Sequence, residues 1–250
     1  MTGVQTCALP IYLDRFIAYN GASGFAAATT ARPDEVIKVI GMRRRIAENM
    51  AASKRHIPHF SYVEECDVTA LETMRAQLNA SRTDGERLTM LPLLIVAICR
   101  ALPQFPMLNA RYDDEAGIVT RHGAVHLGIA TQTPAGLMVP VVRNAQALNL
   151  WQLAREIARL AEAARAGAAR SDELSGSTLT LTSLGPLGGV ATTPVINRPE
   201  VAIIRPNRIV ERPMFVADGM GGERIEKREL MNITISCGHR DVVGTFGQRG

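Results

Sequence analysis

The pattern of apolar and polar positions changes along the chain between the spacing of a helix and the alternation of a strand. Four stretches with helical spacing are predicted as helices: 40–54, 69–80, 90–102 and 149–166. Alternating or β-rich stretches are predicted as strands: 57–68, 118–121, 125–132, 137–142, 177–183, 200–204 and 230–237. Long helices between extended segments are typical of the α/β class.

Two of the predicted helices carry signals at their first turns. Thr69 and Glu72 have the spacing of a capping box, in which two side chains satisfy backbone N–H groups at a helix start. Pro92 falls in the first turn of helix 90–102, where its missing N–H group does no harm. These signals place the starts of the two helices.

The chain divides into four predicted segments. Residues 1–12, "MTGVQTCALPIY", resemble a translated sequencing adapter and are predicted to be non-native. Residues 13–20 form a short amphipathic fragment, and residues 21–35 are rich in Ala, Gly and Thr, which is typical of a linker. Residues 36–250 are predicted to form one globular domain, because apolar residues make up 46% of the chain and can fill a core.

Composition and charge narrow the class of function. The net charge is +4 and aromatic residues make up 4%, so a nucleic-acid-binding surface is not expected. The longest apolar run, residues 90–99, is shorter than the ~20 residues that span a bilayer. The four cysteines form no C-x-x-C pair, which indicates free thiols in a reducing compartment. These features favour a cytoplasmic globular protein.

Candidate chemistry lies on two predicted strands. Thr178, Thr180 and Thr182 share one face of their strand, and on the residues alone they are most simply its solvent face. His239 follows the last strand, and strand ends commonly display site residues, although a lone histidine there is more often a surface residue. From the residues alone, neither the threonine face nor His239 can be assigned to a functional site.

The other histidines and the familiar motifs give no stronger candidate. His122 and His126 are predicted to flank a hairpin turn, and neither has metal-ligand spacing to a cysteine or carboxylate. His56 and His59 could form a metal pair, which is the weaker alternative. The sequence contains no P-loop, dinucleotide-binding glycine motif or G-x-S-x-G nucleophile elbow, and "GPLGG" at 185–189 is predicted to be a turn.

Landmark stretches that occur in order from about Ile40 to about Gly244 resemble one family. They read "GMRRRIAENMAASKRHIPHFSYVEECDVTAL", "FPMLNARYDD", "HLGIATQTPAGLMVPVVRNA", "STLTLTSLGPLGG", "TPVINRPEVAI" and "NITISCGHR". In these stretches the chain resembles the catalytic core of the dihydrolipoamide acyltransferases of 2-oxo acid dehydrogenase complexes. The resemblance is to bacterial enzymes of the branched-chain or pyruvate type. Residues 13–20 resemble the end of the peripheral-subunit-binding domain that precedes this core.

The resemblance implies a chloramphenicol-acetyltransferase-like α/β two-layer sandwich with a mixed sheet. It implies acyl transfer from a dihydrolipoyl thiol to the substrate coenzyme A, with the lipoyl group on a separate domain absent from this chain and without a metal. It implies homotrimers that assemble into a cubic or dodecahedral core, with each active site between two subunits. The dehydrogenase and dihydrolipoamide dehydrogenase subunits would bind through the upstream binding domain, and neither nucleic acid nor a membrane is an expected partner.

The resemblance also implies site residues. The family's base is the histidine of an H-R-x-x-D-G motif, which falls on His239, and its oxyanion donor falls on Thr182 or, one position later, on Ser183. Thiol attack on a thioester needs a base to form the thiolate and a donor to stabilise the oxyanion. Val243 stands where the family has its aspartate, and Asp241 comes too early to inherit that supporting role directly.

Three interpretations remain open on the sequence. The first is an acyltransferase core, and the second is a catalytically impaired structural core subunit, which the change at Val243 favours. The third is a free chloramphenicol-acetyltransferase-like acetyltransferase, against which the linker and the binding-domain fragment argue. The acyl chain is also open, with Met107, Leu137 and Met138 as candidate pocket residues. The resemblance implies a C-terminal helix beyond the last residue of this chain.

Overall fold

The computed structural model describes residues 32–82, 87–134, 136–185 and 188–240. The chain divides into two compact units, Met1–Val39 and Ile40–Gly250. The described part of the first unit, residues 32–39, is exposed and carries no helix or strand. The predicted segments 1–12 and 13–20, together with the linker as far as residue 31, lie outside the described residues.

Helical spacing predicts the described α-helices correctly. They are α1 (Gly41–His56), α2 (Thr69–Ala80), α3 (Met90–Ala101) and α4 (Leu150–Arg165). Asn149 begins α4 with a capping box: its side chain accepts from Gln152 N–H at 2.9 Å, and its own N–H donates to Gln152 Oε1 at 2.9 Å. Leu153 and Leu160 lie on the apolar stripe of α4 and are buried in the main core. In the ranges that the structure describes, no helix has the length and apolar character to cross a membrane.

The predicted capping box at Thr69 and Glu72 is wrong. Val68 is the N-cap residue of α2, and the carboxylate of Asp67 accepts from the N–H and the hydroxyl of Thr69 at 2.9 and 2.6 Å. Glu72 forms an ion pair with Arg75 instead. The carboxylate of Asp67, just before the helix, thus satisfies a first-turn N–H group. The sequence pattern predicts that a capping box does so.

A mixed sheet forms the centre of the larger unit, which confirms the α/β class. The described strands are β1 (His59–Asp67), β2 (Ala110–Asp113), β3 (Ile118–Arg121), β4 (Leu127–Thr133), β5 (Gly136–Met138), β6 (Val141–Val142), β7 (Leu179–Thr182), β8 (Ala202–Ala217) and β9 (Glu223–Gly238). The main sheet has the order β1-β9-β8-β7-β4-β5, with β6 beside β4, and β2 and β3 form a separate hairpin. β4, β7 and β8 run parallel, and the other pairs are antiparallel.

Three strand predictions differ clearly from the structure in extent. The predicted strand 137–142 divides into β5 and β6, and Pro140, which has no N–H group to donate, lies between them. β8 and β9 are each 16 residues long, well beyond the predicted 200–204 and 230–237. Their outer halves are mostly exposed and pair with each other, so main-chain hydrogen bonds hold them without a buried face. A pattern of hydrophobic positions cannot predict these outer halves, because it detects only strands with a buried face.

The threonine face of β7 is buried, so the expected solvent exposure is wrong. Thr178 and Thr180 are each 1% exposed, and the Thr178 hydroxyl donates to Asn109 Oδ1 at 2.6 Å. Leu179 and Leu181 are buried in the main core on the opposite face. A central parallel strand is covered on both faces, and alternation within one strand does not reveal that covering.

The predicted hairpin turn between His122 and His126 is also wrong. β3 pairs with β2, whereas β4 belongs to the main sheet, so residues 122–126 connect two sheets. The side-chain amide of Asn109 donates to the carbonyls of His122 and Ala124 at 2.7 and 3.0 Å. This connection is therefore held to the short hairpin by a buried amide.

Candidate active site

His239 lies directly after Gly238, the last residue of β9. The His239 N–H donates to Pro58 O at 2.9 Å, and the Gly238 N–H donates to Val201 O at 3.0 Å, so segments on two sides hold this backbone. The imidazole is exposed and meets the Phe60 ring edge-on, with 5.0 Å between the ring centroids. No described residue hydrogen-bonds to the imidazole, which leaves both nitrogens available for chemistry.

His59 lies opposite Gly238 in the β1–β9 register, but its imidazole is fully engaged. Nδ1 donates to Ile57 O at 2.8 Å and Nε2 accepts from Ile196 N–H at 3.0 Å, an arrangement that requires a neutral ring. Burial lowers the pKa of His59, which favours the same form. With both nitrogens engaged, the alternative of a metal pair with His56 is wrong. Within the described ranges, no cluster of three metal-ligating side chains occurs.

Thr182 and Ser183 end β7 side by side. Thr182 is half-buried, and its hydroxyl has no hydrogen-bond partner among the residues that the structure describes, so it can donate to a bound oxygen. The Ser183 hydroxyl accepts from Gly185 N–H at 3.1 Å and keeps its own proton for donation. Both hydroxyls therefore have the chemistry of an oxyanion donor.

A cavity of about 490 Å³ opens beside Ser183. Its apolar wall consists of Met90, Leu91, Leu94, Ile209 and Met231. The Glu72–Arg75 ion pair, Thr89, Asn207 and Arg208 add polar groups to the same cavity. A mostly apolar cavity with few polar groups suits an apolar chain that ends in a polar group. The pocket residues predicted from the sequence do not line it: Met107, Leu137 and Met138.

A single chain does not bring His239 and Thr182 together. One step beyond the paired residues of β7 and β8, Thr182 lies level with Arg205, which pairs with Thr234 on β9. His239 lies five residues beyond Thr234 along that strand. With a rise of ~3.3 Å per residue and ~4.8 Å between strands, the two positions are about 19 Å apart. Groups at that distance cannot act on one carbonyl.

A buried carboxylate lies one residue before Val201, whose carbonyl accepts from Gly238. Glu200 Oε1 accepts from the Ser177 hydroxyl at 2.5 Å and from Asn197 Nδ2 at 3.0 Å. Among the described residues, Oε2 has no partner. Burial raises the pKa of Glu200 to about 7, against the opposing effect of those hydrogen bonds. This carboxyl is therefore partly protonated near neutral pH.

Replacing Glu200 by glutamine is expected to flatten the pH dependence of stability. The folded-state pKa lies above the ordinary value, so stability from this group is present below pH 4.5 and is lost as the pH rises to about 7. The full loss corresponds to about 3 kcal/mol. Urea unfolding of both chains at about pH 5 and about pH 8 measures it, and the substituted chain should lose less stability between them. Equal losses would contradict the assignment.

The remainder of the predicted motif, Asp241, Val243 and Gly244, lies outside the described residues. The supporting role considered for Asp241 therefore stays a prediction. Sequence reasoning did not single out Glu200, because a lone glutamate at the start of a predicted strand usually lies on the surface. Its burial depends on the way β7, β8 and the β2–β3 hairpin meet, which the sequence pattern does not contain.

Most of this chain is similar to one family of catalytic domains. Residues 31–249 match the 2-oxoacid dehydrogenases acyltransferase (catalytic domain) family. The chain is 56% identical over 239 residues to the lipoamide acyltransferase component of the branched-chain alpha-keto acid dehydrogenase complex of Pseudomonas aeruginosa, covering 93% of this chain and 54% of that protein. It is 38% identical over 217 residues to the dihydrolipoyllysine-residue acetyltransferase component of the Staphylococcus aureus pyruvate dehydrogenase complex, covering 86% and 49%. The chain thus spans about half the length of these curated relatives.

Solved structures share the fold. One is the Azotobacter vinelandii dihydrolipoamide acetyltransferase, solved to study a serine, a histidine and an asparagine in its catalytic mechanism. It has a TM-score of 0.78 and 35% identity, and the match covers 85% of this chain and 86% of that chain. The cubic core of a pyruvate dehydrogenase multienzyme complex gives the same TM-score of 0.78, the same 35% identity and the same coverage of 85% and 86%. The chain therefore belongs to the 2-oxoacid dehydrogenase acyltransferase family and contains its catalytic domain.

Proposed function

We propose that this chain transfers an acyl group from acyl-dihydrolipoamide to coenzyme A as a core subunit of a 2-oxo acid dehydrogenase complex. The observation that carries the proposal is the His239 imidazole, which is exposed at the end of β9 on a backbone held from two sides. Family membership supports the reaction type. The free imidazole supports the role of base, since histidine is the side chain best suited to proton transfer near neutral pH.

The reaction exchanges one thioester for another. The imidazole takes the proton of the coenzyme A thiol, and the resulting thiolate forms a bond to the thioester carbon while the carbonyl electrons move to oxygen. The hydroxyl of Thr182, with Ser183 as the alternative, donates to that oxyanion. The bond to the dihydrolipoyl sulfur then breaks, and that sulfur takes the proton from the imidazolium. No electrons are gained or lost overall.

Two copies of the chain build each active site in this proposal. The ~19 Å between His239 and Thr182 in one chain requires the base of one copy to meet the oxyanion donor of another. A closed ring of identical subunits repeats such a contact, and a homotrimer within a cubic or dodecahedral core is the proposed form. The proposed setting is the cytoplasm, and the proposed partners are the dehydrogenase and dihydrolipoamide dehydrogenase subunits of the complex.

The proposed acyl group is a branched chain. The apolar wall of the cavity beside Ser183 gives room for a branched hydrocarbon. Identity is also higher with the branched-chain component of Pseudomonas aeruginosa, at 56%, than with the acetyltransferase component of Staphylococcus aureus, at 38%. These two observations support isobutyryl over acetyl or succinyl groups.

Incubation of the purified assembly with isobutyryl-dihydrolipoamide and coenzyme A is expected to produce isobutyryl-coenzyme A, measured by mass spectrometry. Acetyl and succinyl analogues should react more slowly. A reaction without coenzyme A measures hydrolysis and serves as the control. If an assembled chain forms no acyl-coenzyme A from any donor, the transfer proposal is wrong. A faster acetyl reaction would contradict only the acyl assignment.

A second candidate function is a structural core subunit with impaired catalysis. In the Azotobacter vinelandii protein, the histidine and the asparagine under study are four positions apart. In this chain the fourth position after His239 is Val243, whose side chain has no hydrogen-bonding group. Sedimentation of a large assembly that forms no acyl-coenzyme A would support this candidate over the enzyme.

A further inference from the structure

Arg240, the residue after the proposed base, is held on three sides. Its Nη1 donates to His56 O at 2.8 Å at the end of α1. The same nitrogen forms an ion pair with the carboxylate of Asp114. The guanidinium carbon lies 3.9 Å from the centre of the Tyr112 ring, in cation–π geometry. The side chain thus ties the turn after β9 to the β2–β3 hairpin.

Asp114 joins two arginines from different segments. Its Oδ1 accepts from Arg240 and its Oδ2 accepts from Arg198 Nε at 2.9 Å, and its side chain is 13% exposed. Burial alone would raise the pKa of Asp114, but the hydrogen bonds and charges of Arg198 and Arg240 outweigh it and hold the pKa below its ordinary value. The carboxylate is therefore charged at neutral pH.

The hairpin that carries Asp114 is itself anchored to residues 199–201, which lead directly into β8, the strand beside β9. Tyr112 N–H donates to Pro199 O at 3.0 Å, and Val201 N–H donates to Ala110 O at 3.2 Å. Val201 O in turn accepts from Gly238 N–H. Main-chain bonds therefore connect the hairpin to the residue just before His239, while the Asp114–Arg240 ion pair connects it to the residue just after.

We propose that Asp114 is the carboxylate that positions His239 in this chain, by holding Arg240 and with it the turn that carries the base. The resemblance predicts a supporting carboxylate four residues after the histidine, where Val243 stands. The structure supplies a carboxylate to this turn from a distant hairpin. Asp114 touches neither substrate nor imidazole in this assignment, so it is a positioning residue. The kinetic part of the inference rests on the proposed acyl transfer.

The kinetic test combines Asp114→Asn with His239→Ala. Because a misplacement of about 1 Å can cost about 10²-fold, Asp114→Asn is expected to lower kcat by about 10- to 100-fold with little change in either KM. In the His239→Ala background the same substitution should have little further effect, because the group it positions is gone. An unchanged kcat in Asp114→Asn, or an equal loss in both backgrounds, would overturn the proposal.

Asp113→Asn is the matched control. Asp113 precedes Asp114, is exposed, and accepts from the N–H groups of Glu115 and Ala116 at 3.0 and 3.1 Å, which an asparagine oxygen can also do. It has no arginine partner among the described residues. Its substitution is expected to leave kcat within about twofold, since surface changes of this kind are close to neutral. A loss as large as that of Asp114→Asn would assign the effect to the hairpin in general and overturn the proposal.

Hydrogen exchange tests the same inference without any catalysis. In Asp114→Asn, peptides that cover residues 232–240 are expected to exchange faster, because the turn after β9 opens more often. Peptides from α4 serve as the reference for the global fold and should not change. Unchanged exchange in residues 232–240 would overturn the proposal. If the unsubstituted chain transfers no acyl group, the proposed function fails, and this measurement alone decides whether Asp114 holds the turn.

Discussion

Alanine in place of His239 is expected to lower kcat for acyl transfer about 10²- to 10⁴-fold, the range that a positioned general base contributes. The imidazole is exposed and contacts Phe60 only by an edge, so its removal should leave the fold intact. The KM values should change little, because proton removal acts in the transition state and not in substrate binding. Steady-state kinetics with isobutyryl-dihydrolipoamide and coenzyme A measures both constants.

His56→Ala is the matched control for this prediction. His56 is also an exposed histidine, at the end of α1, and only its backbone carbonyl takes part in the contact with Arg240. Alanine keeps that carbonyl, so kcat should stay within about twofold of the unsubstituted value. If His239→Ala keeps more than about a tenth of the activity, a contribution below the usual range of a base, the base lies elsewhere.

The sequence predicts those parts of the fold that depend on local periodicity. The apolar stripe of α4 predicts a buried helix, and the structure shows one, with a capping box at Asn149 that the stripe does not predict. The strand that precedes His239 is likewise predicted from the alternation of Met231, Ile233 and Ile235. In each case one element carries its own signal, because its buried face repeats at a fixed spacing.

The contacts that position the site join elements far apart in the chain, and local periodicity contains no information about them. Asp114 and Arg240 are 126 positions apart, and their ion pair follows from the docking of the β2–β3 hairpin beside β9. Thr180 is buried although Leu179 and Leu181 on the opposite face of β7 enter the main core, and the alternation of one strand cannot show that both faces are covered. The family resemblance identifies His239 and Thr182 as a pair in a site between two subunits, and the strand register gives the distance that separates them in one chain.

Valine in place of Thr182 is expected to lower kcat about 10²- to 10³-fold, the usual cost of losing one oxyanion donor. Valine keeps the branched shape of threonine and replaces the hydroxyl by a methyl group of similar size, so the strand should keep its packing. Ser183→Ala provides the matched comparison one residue along the chain. A larger loss in Ser183→Ala than in Thr182→Val would assign the donor to Ser183.

Mixing these variants tests whether two copies share each site. His239→Ala chains keep the donor, and Thr182→Val chains keep the base, so each variant alone should be nearly inactive. Because base and donor lie about 19 Å apart in one chain, co-assembled variants should place an intact base beside an intact donor wherever the two kinds of chain meet in the right order.

In a random equal mixture of a closed symmetric assembly, about a quarter of the interfaces meet this condition, so about a quarter of the unsubstituted activity should return. Refolding or co-expression of the two variants, followed by the transfer assay, measures the recovery. Activity that stays at the level of the separate variants in a confirmed mixed assembly would contradict a site shared between two copies, because it would mean that the base and the donor of each site come from one chain.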